Sequence, residues 1–201
     1  SICRLRSIRE PSALPLNGQN TGEISDRFPV YFVPAGYVFA IWSIIFIGWI
    51  AFSVYQFLPA QKESPRLRNL GYFFAISGIF NATWLVCWHY NLFGLSVLVM
   101  LTLLALLIVS YIKLNVGLTT VTAAERWSVD VPFSVYLGWI SVATVANISS
   151  WLYFVNWNGF GIAPQAWAVI MIAIASVLGV LITLTRRDSG YVFVLAWAFA
   201  G

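Results

Sequence analysis

Five long runs without a charged residue, separated by short loops, dominate the amino-acid sequence. The runs lie at about 31–58, 69–89, 92–112, 131–155 and 164–185. A helix needs about 20 apolar residues to cross a hydrocarbon core of about 30 Å, so each run is long enough to span a membrane once. A sixth apolar run, 190–201, is too short to cross. We expect this last run to lie at the interface or to be part of a longer span.

The composition excludes several classes of protein. The chain is 60% hydrophobic and 9% charged, whereas about a quarter of a soluble domain is charged. So apolar a chain is not disordered, and two cysteines do not make a disulfide scaffold. The net charge of +4 comes from basic residues at the ends of apolar runs, so no nucleic-acid partner is expected. The sequence predicts an all-α integral membrane protein with about five full transmembrane helices and a partial sixth.

Basic residues predict the orientation of these helices. The loops after spans one, three and five contain Lys62, Arg66, Arg68, Lys113, Arg126, Arg186 and Arg187. The loops after spans two and four contain no lysine or arginine. Because short loops rich in lysine and arginine remain in the cytoplasm, the odd-numbered loops are predicted to be cytoplasmic and residue 28 to lie outside. We expect the membrane to be the bacterial cytoplasmic membrane.

Few polar side chains remain inside the predicted spans, and they lie in two patterns. No Asp, Glu or Arg lies within a span, which disfavours ion pumps and voltage sensors. Walker motifs, paired carboxylates and zinc-ligand spacings are also missing, so an enzyme is not favoured. The two patterns are Asn81-x-x-Trp84 and Tyr136-x-x-Trp139-x-x-x-Ala143-x-x-x-Asn147-x-x-x-Trp151. Steps of three and four place each pattern on one helix face, which serves either helix packing or an aromatic cavity.

A third motif, together with these two, indicates a family. The segment Pro34-Ala35-Gly36-Tyr37-Val38-Phe39-Ala40-Ile41-Trp42, followed by the two patterns in this order, resembles the TspO/MBR family of tryptophan-rich sensory proteins. That family is related to the mitochondrial translocator protein. The resemblance implies a five-helix bundle, commonly a homodimer, that binds porphyrins and haem-like tetrapyrroles. It implies ligand contacts for Trp42, Asn81, Trp139 and Ala143, with Tyr37 and Trp84 nearby.

The arrangement of the chain departs from the family pattern. Residues 1–28 form a polar N-terminal tail, 29–156 match four family helices, and 157–201 are additional C-terminal transmembrane segments. The family helix that should precede the Pro-rich segment is not found. One wall of the family cavity would then be missing, and we expect the span after Pro164 or a partner protein to replace it.

Three functions remain open from the sequence. The first is an intramembrane aromatic pocket that binds tetrapyrroles or similar flat hydrophobic ligands, in sensing or transport. Its candidate ligand-binding residues are Tyr37, Trp42, Asn81, Trp84, Tyr136, Trp139, Ala143 and Asn147. The second is a structural or accessory subunit of a larger, pigment-containing membrane complex. The third, enzymatic breakdown of a porphyrin, ranks last because no acid–base group supports it.

One residue is a candidate metal ligand. His89 is the single histidine, so any histidine-ligated haem would have to use it. A polar tip at the membrane interface is the favoured interpretation of His89, because it ends the second span. No other metal site is predicted, and the expected partners are the lipid bilayer, a small hydrophobic ligand, and a second copy or another membrane subunit.

Overall fold

The chain folds into a helical bundle, described by a computed structural model for residues 16–31 and 35–200. The α-helices are α1 (Thr21–Ser25), α2 (Ile41–Phe57), α3 (Pro65–Leu70), α4 (Phe73–His89), α5 (Phe93–Lys113), α6 (Ala123–Glu125), α7 (Val131–Phe154), α8 (Pro164–Arg186) and α9 (Ser189–Phe199). No strand occurs in these ranges, which confirms the all-α prediction. Pro34 of the third motif and the first 15 residues of the predicted tail lie outside the described residues.

Four helices of the described chain are long and apolar enough to cross a membrane. They are Gly36–Phe57, Phe93–Lys113, Ala123–Phe154 and Pro164–Arg186. The predicted span at 69–89 differs in detail, because Gly71 adopts φ 58° and separates α3 from α4. The remaining helix α4 has 17 residues and is therefore about 26 Å long. The last apolar run forms the short helix α9, in agreement with a partial sixth span.

Helix α7 lies at the centre of the bundle and α8 at its edge. Helix α5 packs against both α4 and α7, and α7 also contacts α2 and α9. Helices α2 and α4 meet chiefly through aromatic side chains rather than through close backbones. Large apolar side chains such as Ile47 and Leu184 are 67% and 74% exposed. An apolar surface of this kind suits contact with lipid, as expected of an integral membrane protein.

Each end of the bundle is defined by its loops. We call the end with residues 58–68, 114–122 and 187–188 the inner end, and the end with residues 90–92 and 155–163 the outer end. These names follow the orientation that the loop charges predict. Helices α2 and α5 run from the outer to the inner end, and α4, α7 and α9 run in the opposite direction.

A charged cluster connects the loops at the inner end of the bundle. The guanidinium of Arg66 donates to the carbonyl of Leu114 over 2.6 Å, to Glu125 over 2.7 Å, and also to Asp130. Burial disfavours the charged guanidinium, but the hydrogen bonds and charges of Glu125 and Asp130 outweigh burial and raise the pKa of Arg66. Because Arg66 precedes α4 and its partners follow α5, the cluster joins loops that are distant in sequence.

A buried carboxylate holds α9 in place. Asp188 accepts hydrogen bonds from Tyr111 over 2.7 Å and from Ser134 over 2.6 Å. Its other oxygen accepts from the backbone N–H of Gly190 over 2.9 Å and caps the start of α9. At the other end of α9, the indole of Trp197 donates to the carbonyl of Val38 over 3.0 Å. Helix α9 therefore connects the inner end of the bundle to the turn that precedes α2.

Candidate functional site

An aromatic cavity lies in the outer half of the bundle. Its free space is about 400 Å³, including the open mouth. It is lined by Thr21, Ser25, Phe39, Trp42, Trp84, Trp88, Trp139, Ala143, Ala146, Asn147 and Ser150. These residues come from α1, α2, α4, α7 and the turn before α2. Five of the sequence-predicted candidates therefore line one cavity: Trp42, Trp84, Trp139, Ala143 and Asn147.

Tryptophan rings form the main wall of this cavity. The rings of Trp42 and Trp84 lie 22° from parallel with centroids 6.3 Å apart, and Trp84 and Trp88 lie 20° from parallel at 6.0 Å. Trp139 meets Trp42 edge-on at 6.3 Å and 83°. Since stacked and edge-to-face arrangements are both favourable for aromatic rings, the same surfaces can accept a further flat ring.

Asn147 connects three helices behind the cavity through hydrogen bonds. The indole Nε1 of Trp84 donates to the Asn147 amide oxygen over 3.1 Å, and the Asn147 amide nitrogen donates to Ser96 Oγ over 3.0 Å. Asn147 is 2% exposed, so these bonds join α4, α5 and α7 in the interior. No sequence pattern distinguishes Ser96 from Ser110, the other serine of α5.

Three predicted residues lie away from the lining. Asn81 and Tyr136 precede Trp84 and Trp139 by three residues, so they lie about 4.5 Å deeper along their helices. Tyr37 is 57% exposed, and its hydroxyl donates to the carbonyl of Ala200 over 2.6 Å. Its ring contacts Trp197 rather than the cavity.

The segment 16–31 covers the mouth of the cavity. The backbone carbonyl of Thr21 accepts from Trp88 Nε1 over 3.3 Å, and the side chain of Asn17 donates to the carbonyl of His89 over 3.1 Å. The ring of Phe28 packs edge-on against Phe93 with centroids 5.0 Å apart. Composition describes this part of the chain as polar, yet Ile24 within it is fully buried.

A capping box starts α1, the α-helix of the covering segment. The side chain of Asn20 accepts from the backbone of Glu23 over 2.8 Å, and Glu23 accepts from the backbone of Asn20 over 2.9 Å. Asn-x-x-Glu before an apolar residue is a readable start signal, so the sequence held enough information to find α1. It did not contain the position of α1 over the cavity.

His89 lies outside the cavity lining. Its ring nitrogen Nδ1 lies 2.8 Å from the carbonyl of Leu85, and the residue is 3% exposed. A hydrogen bond to a carbonyl makes that nitrogen the donor, which fixes the tautomer. His89 is thus buried beneath the covering segment rather than a polar tip at the interface. Among the described residues, no three His, Cys, Asp or Glu side chains are grouped as metal ligands.

Comparisons with known proteins agree with the three motifs. A family model described as TSPO-like protein matches residues 11–201, almost the whole chain. No protein of curated function and no solved structure showed significant similarity. The matched region contains the Pro-rich segment, both tryptophan stripes and the C-terminal helices α8 and α9 together. This match over the helical bundle establishes the chain as a member of the TSPO-like protein family.

Proposed function

We propose that the aromatic cavity binds a tetrapyrrole or a similar flat hydrophobic ligand, and that this binding serves sensing or transport. The observation that carries the proposal is the wall formed by Trp42, Trp84 and Trp88, with Trp139 set edge-on to it. Flat aromatic faces with few polar groups favour a ligand that is itself flat and mostly apolar. We propose the bacterial cytoplasmic membrane as its location, with the basic loops of the inner end on the cytoplasmic side.

The polar side chains of the lining are uncharged, so they can orient a ligand through hydrogen bonds but not through ionic attraction. Apart from backbone groups, the lining offers the hydroxyls of Thr21, Ser25 and Ser150 and the amide of Asn147. None of the lining residues carries a charge, so a ligand with a neutral body suits the cavity. The covering segment 16–31 would have to move or loosen for a large ring to enter, since it contacts Trp88 directly.

Binding can be tested by titrating the detergent-solubilised protein with protoporphyrin and following tryptophan fluorescence. We expect saturable quenching at micromolar ligand. Trp139→Phe should bind more weakly, because phenyl is smaller than indole and removes part of the aromatic surface that lines the cavity. Trp127→Phe is the matched control, since Trp127 is 70% exposed at the inner end. Quenching that does not saturate, or that is equal in both variants, would contradict the proposal.

A structural or accessory subunit is the second candidate function. Helix α8 favours it, because α8 packs mainly against α9 and exposes most of its apolar length. This function predicts co-purification with other chains in a fixed ratio and no saturable porphyrin binding. Gentle solubilisation followed by mass spectrometry of the intact assembly separates the two candidates.

A further inference from the structure

The turn before α2 contributes Phe39 to the lining of the aromatic cavity. This turn, Gly36–Ala40, is a 3₁₀-helix of five residues. The ring of Phe39 meets Trp139 edge-on with centroids 5.6 Å apart. It also lies under the covering segment, where a Cβ added at Gly22 would be 3.8 Å from the ring. Phe39 therefore contacts both the tryptophan wall and the cover of the cavity.

The turn depends on α9 for one of its hydrogen bonds. Hydrogen bonds in a 3₁₀-helix are less well aligned than in an α-helix, and runs longer than about four residues are uncommon. No side chain caps the start of this turn. Val38 at its centre is fully buried, and the carbonyl of Val38 accepts the indole N–H of Trp197 over 3.0 Å. Helix α9 thus supplies a fixed point for the turn.

Two further contacts join the end of α9 to the same turn. The ring of Tyr37 meets Trp197 edge-on with centroids 6.0 Å apart. The hydroxyl of Tyr37 donates to the carbonyl of Ala200 over 2.6 Å. Because the two residues before Phe39 are both bound to α9, the position of Phe39 depends on the position of that helix.

Helix α9 is itself held closely against α7. A Cβ added at Gly138 would lie 3.0 Å from the Cβ of Val194, so the glycine lets the two helices approach. Gly138 directly precedes Trp139 of the cavity wall. At the start of α9, the side chain of Asp188 caps the helix. Trp197 follows Asp188 by nine residues, or about 14 Å along a helix, so α9 is bound at both ends.

The effect of Trp197 on a ligand is indirect. None of the described residues of α9 lines the cavity. Without the indole N–H, the buried carbonyl of Val38 would keep only the backbone N–H of Ile41 as a donor. Loss of a hydrogen bond to a buried carbonyl is unfavourable, so the turn would be free to shift towards another partner. Phe39 would then lose its fixed position in the lining.

We propose that Trp197 is a positioning residue of the ligand site. By binding the carbonyl of Val38, it holds Phe39 edge-on to Trp139 and under the covering segment. This inference rests on the proposed function of the cavity. It goes beyond that function because it makes ligand affinity depend on α9, a helix that does not touch the ligand.

The test is a double-mutant cycle between Trp197 and Phe39. Affinity for protoporphyrin is measured in lipid nanodiscs, from the shift of the ligand's absorption band. Phe39→Ala removes a lining ring and should weaken binding about tenfold. Trp197→Phe keeps a ring beside Tyr37 but loses the N–H, and should weaken binding about fivefold. The double variant should lose about tenfold rather than about fiftyfold, because a displaced Phe39 already contributes little.

Trp167→Phe is the matched control. The indole N–H of Trp167 also donates to a backbone carbonyl, that of Gly159, over 2.9 Å at the outer end. This variant loses the same kind of bond outside the cavity and should retain the wild-type affinity. A merely structural role of Trp197 predicts independent losses, so that the double variant would lose about fiftyfold.

Hydrogen exchange of the ligand-free protein tests the same role without protoporphyrin. Trp197→Phe should accelerate exchange of the amides at 38–41 about fivefold, whereas Trp167→Phe should leave them unchanged. Tyr37→Phe, which loses only the bond to Ala200, should act in the same direction as a milder variant. Unaltered exchange in Trp197→Phe, or losses of affinity that multiply in the cycle, would overturn the positioning role and leave the proposed function standing. A wild type that binds no protoporphyrin would overturn the proposed function, and the positioning role with it.

Discussion

The indole nitrogen of Trp84 on α4 donates a hydrogen bond of 3.1 Å to the amide oxygen of Asn147 on α7. This bond joins the two tryptophan-containing stripes of the sequence within the interior of one bundle. Helix α5 also connects α4 and α7, because it packs on both. The bond thus positions Trp84 as part of the cavity wall.

Loss of the Asn147 amide should destabilise the bundle. Asn147→Leu leaves the N–H of Trp84 and the hydroxyl of Ser96 with one partner fewer, so we expect a loss of about 1–2 kcal/mol. Thermal unfolding in detergent measures this change. Ser149→Ala is the control, because Ser149 bonds the backbone of its own helix. Equal stability of the two variants would show that the bridge contributes nothing.

The charged cluster at the inner end should contribute more to the free energy of unfolding than the exposed ion pair between Arg68 and Glu63. Arg66→Ala leaves Glu125 and Asp130 partly buried without their cation, and a cost of about 3 kcal/mol is expected. Arg68→Ala is the matched control, since Arg68 pairs with Glu63 where both side chains are largely exposed. Its loss should cost less than about 1 kcal/mol. Denaturation in mixed micelles measures the stability of both variants. Similar losses in Arg66→Ala and Arg68→Ala would contradict the larger role of the buried cluster.

Docking of α9 should depend on Asp188. Asp188→Ala removes the cap of α9 and the acceptor of Tyr111 and Ser134, so the 189–199 segment should detach more readily. Hydrogen exchange of the α9 amides should accelerate at least tenfold, from a loss of about 1.4 kcal/mol or more. Asp26→Ala, at an exposed position of the covering segment, should leave α9 unchanged. Unaltered exchange in Asp188→Ala would contradict the anchoring role.

Weakening the covering segment should speed ligand exchange. Glu23→Ala breaks the capping box of α1 and costs about 1 kcal/mol of helix stability, so porphyrin should dissociate about fivefold faster. Stopped-flow dilution measures the rate, with Glu63→Ala at the inner end as control. If Glu23→Ala releases the ligand at the wild-type rate, the segment does not control the mouth.

The sequence predicted the lining of the cavity better than its cover. Periodicity placed Trp84, Trp139, Ala143 and Asn147 on interior faces, because a helical stripe follows from spacing alone. Periodicity missed the helix break at Gly71, where a positive φ separates two helices within a continuous apolar run of the sequence. The family resemblance, rather than periodicity, placed Tyr37 near the ligand; in the structure the Tyr37 hydroxyl donates to the carbonyl of Ala200.

What could not be predicted depends on contacts between distant parts of the chain. Thr21 reaches Trp88 only because the segment 16–31 folds back across the outer end, and no local pattern specifies that path. Trp197 likewise looked like one more aromatic residue of an apolar run. Its hydrogen bond to Val38 becomes visible only once the position of α9 is known.

The central claim, that the aromatic cavity is the ligand site, is tested most directly by filling it. Equilibrium binding of protoporphyrin should be measured for Ala143→Phe, which places a ring inside the lining, and for Ala173→Phe on the exposed face of α8. We predict at least a tenfold loss of affinity for Ala143→Phe and wild-type affinity for Ala173→Phe. Wild-type affinity in both variants would contradict the claim and place the ligand elsewhere.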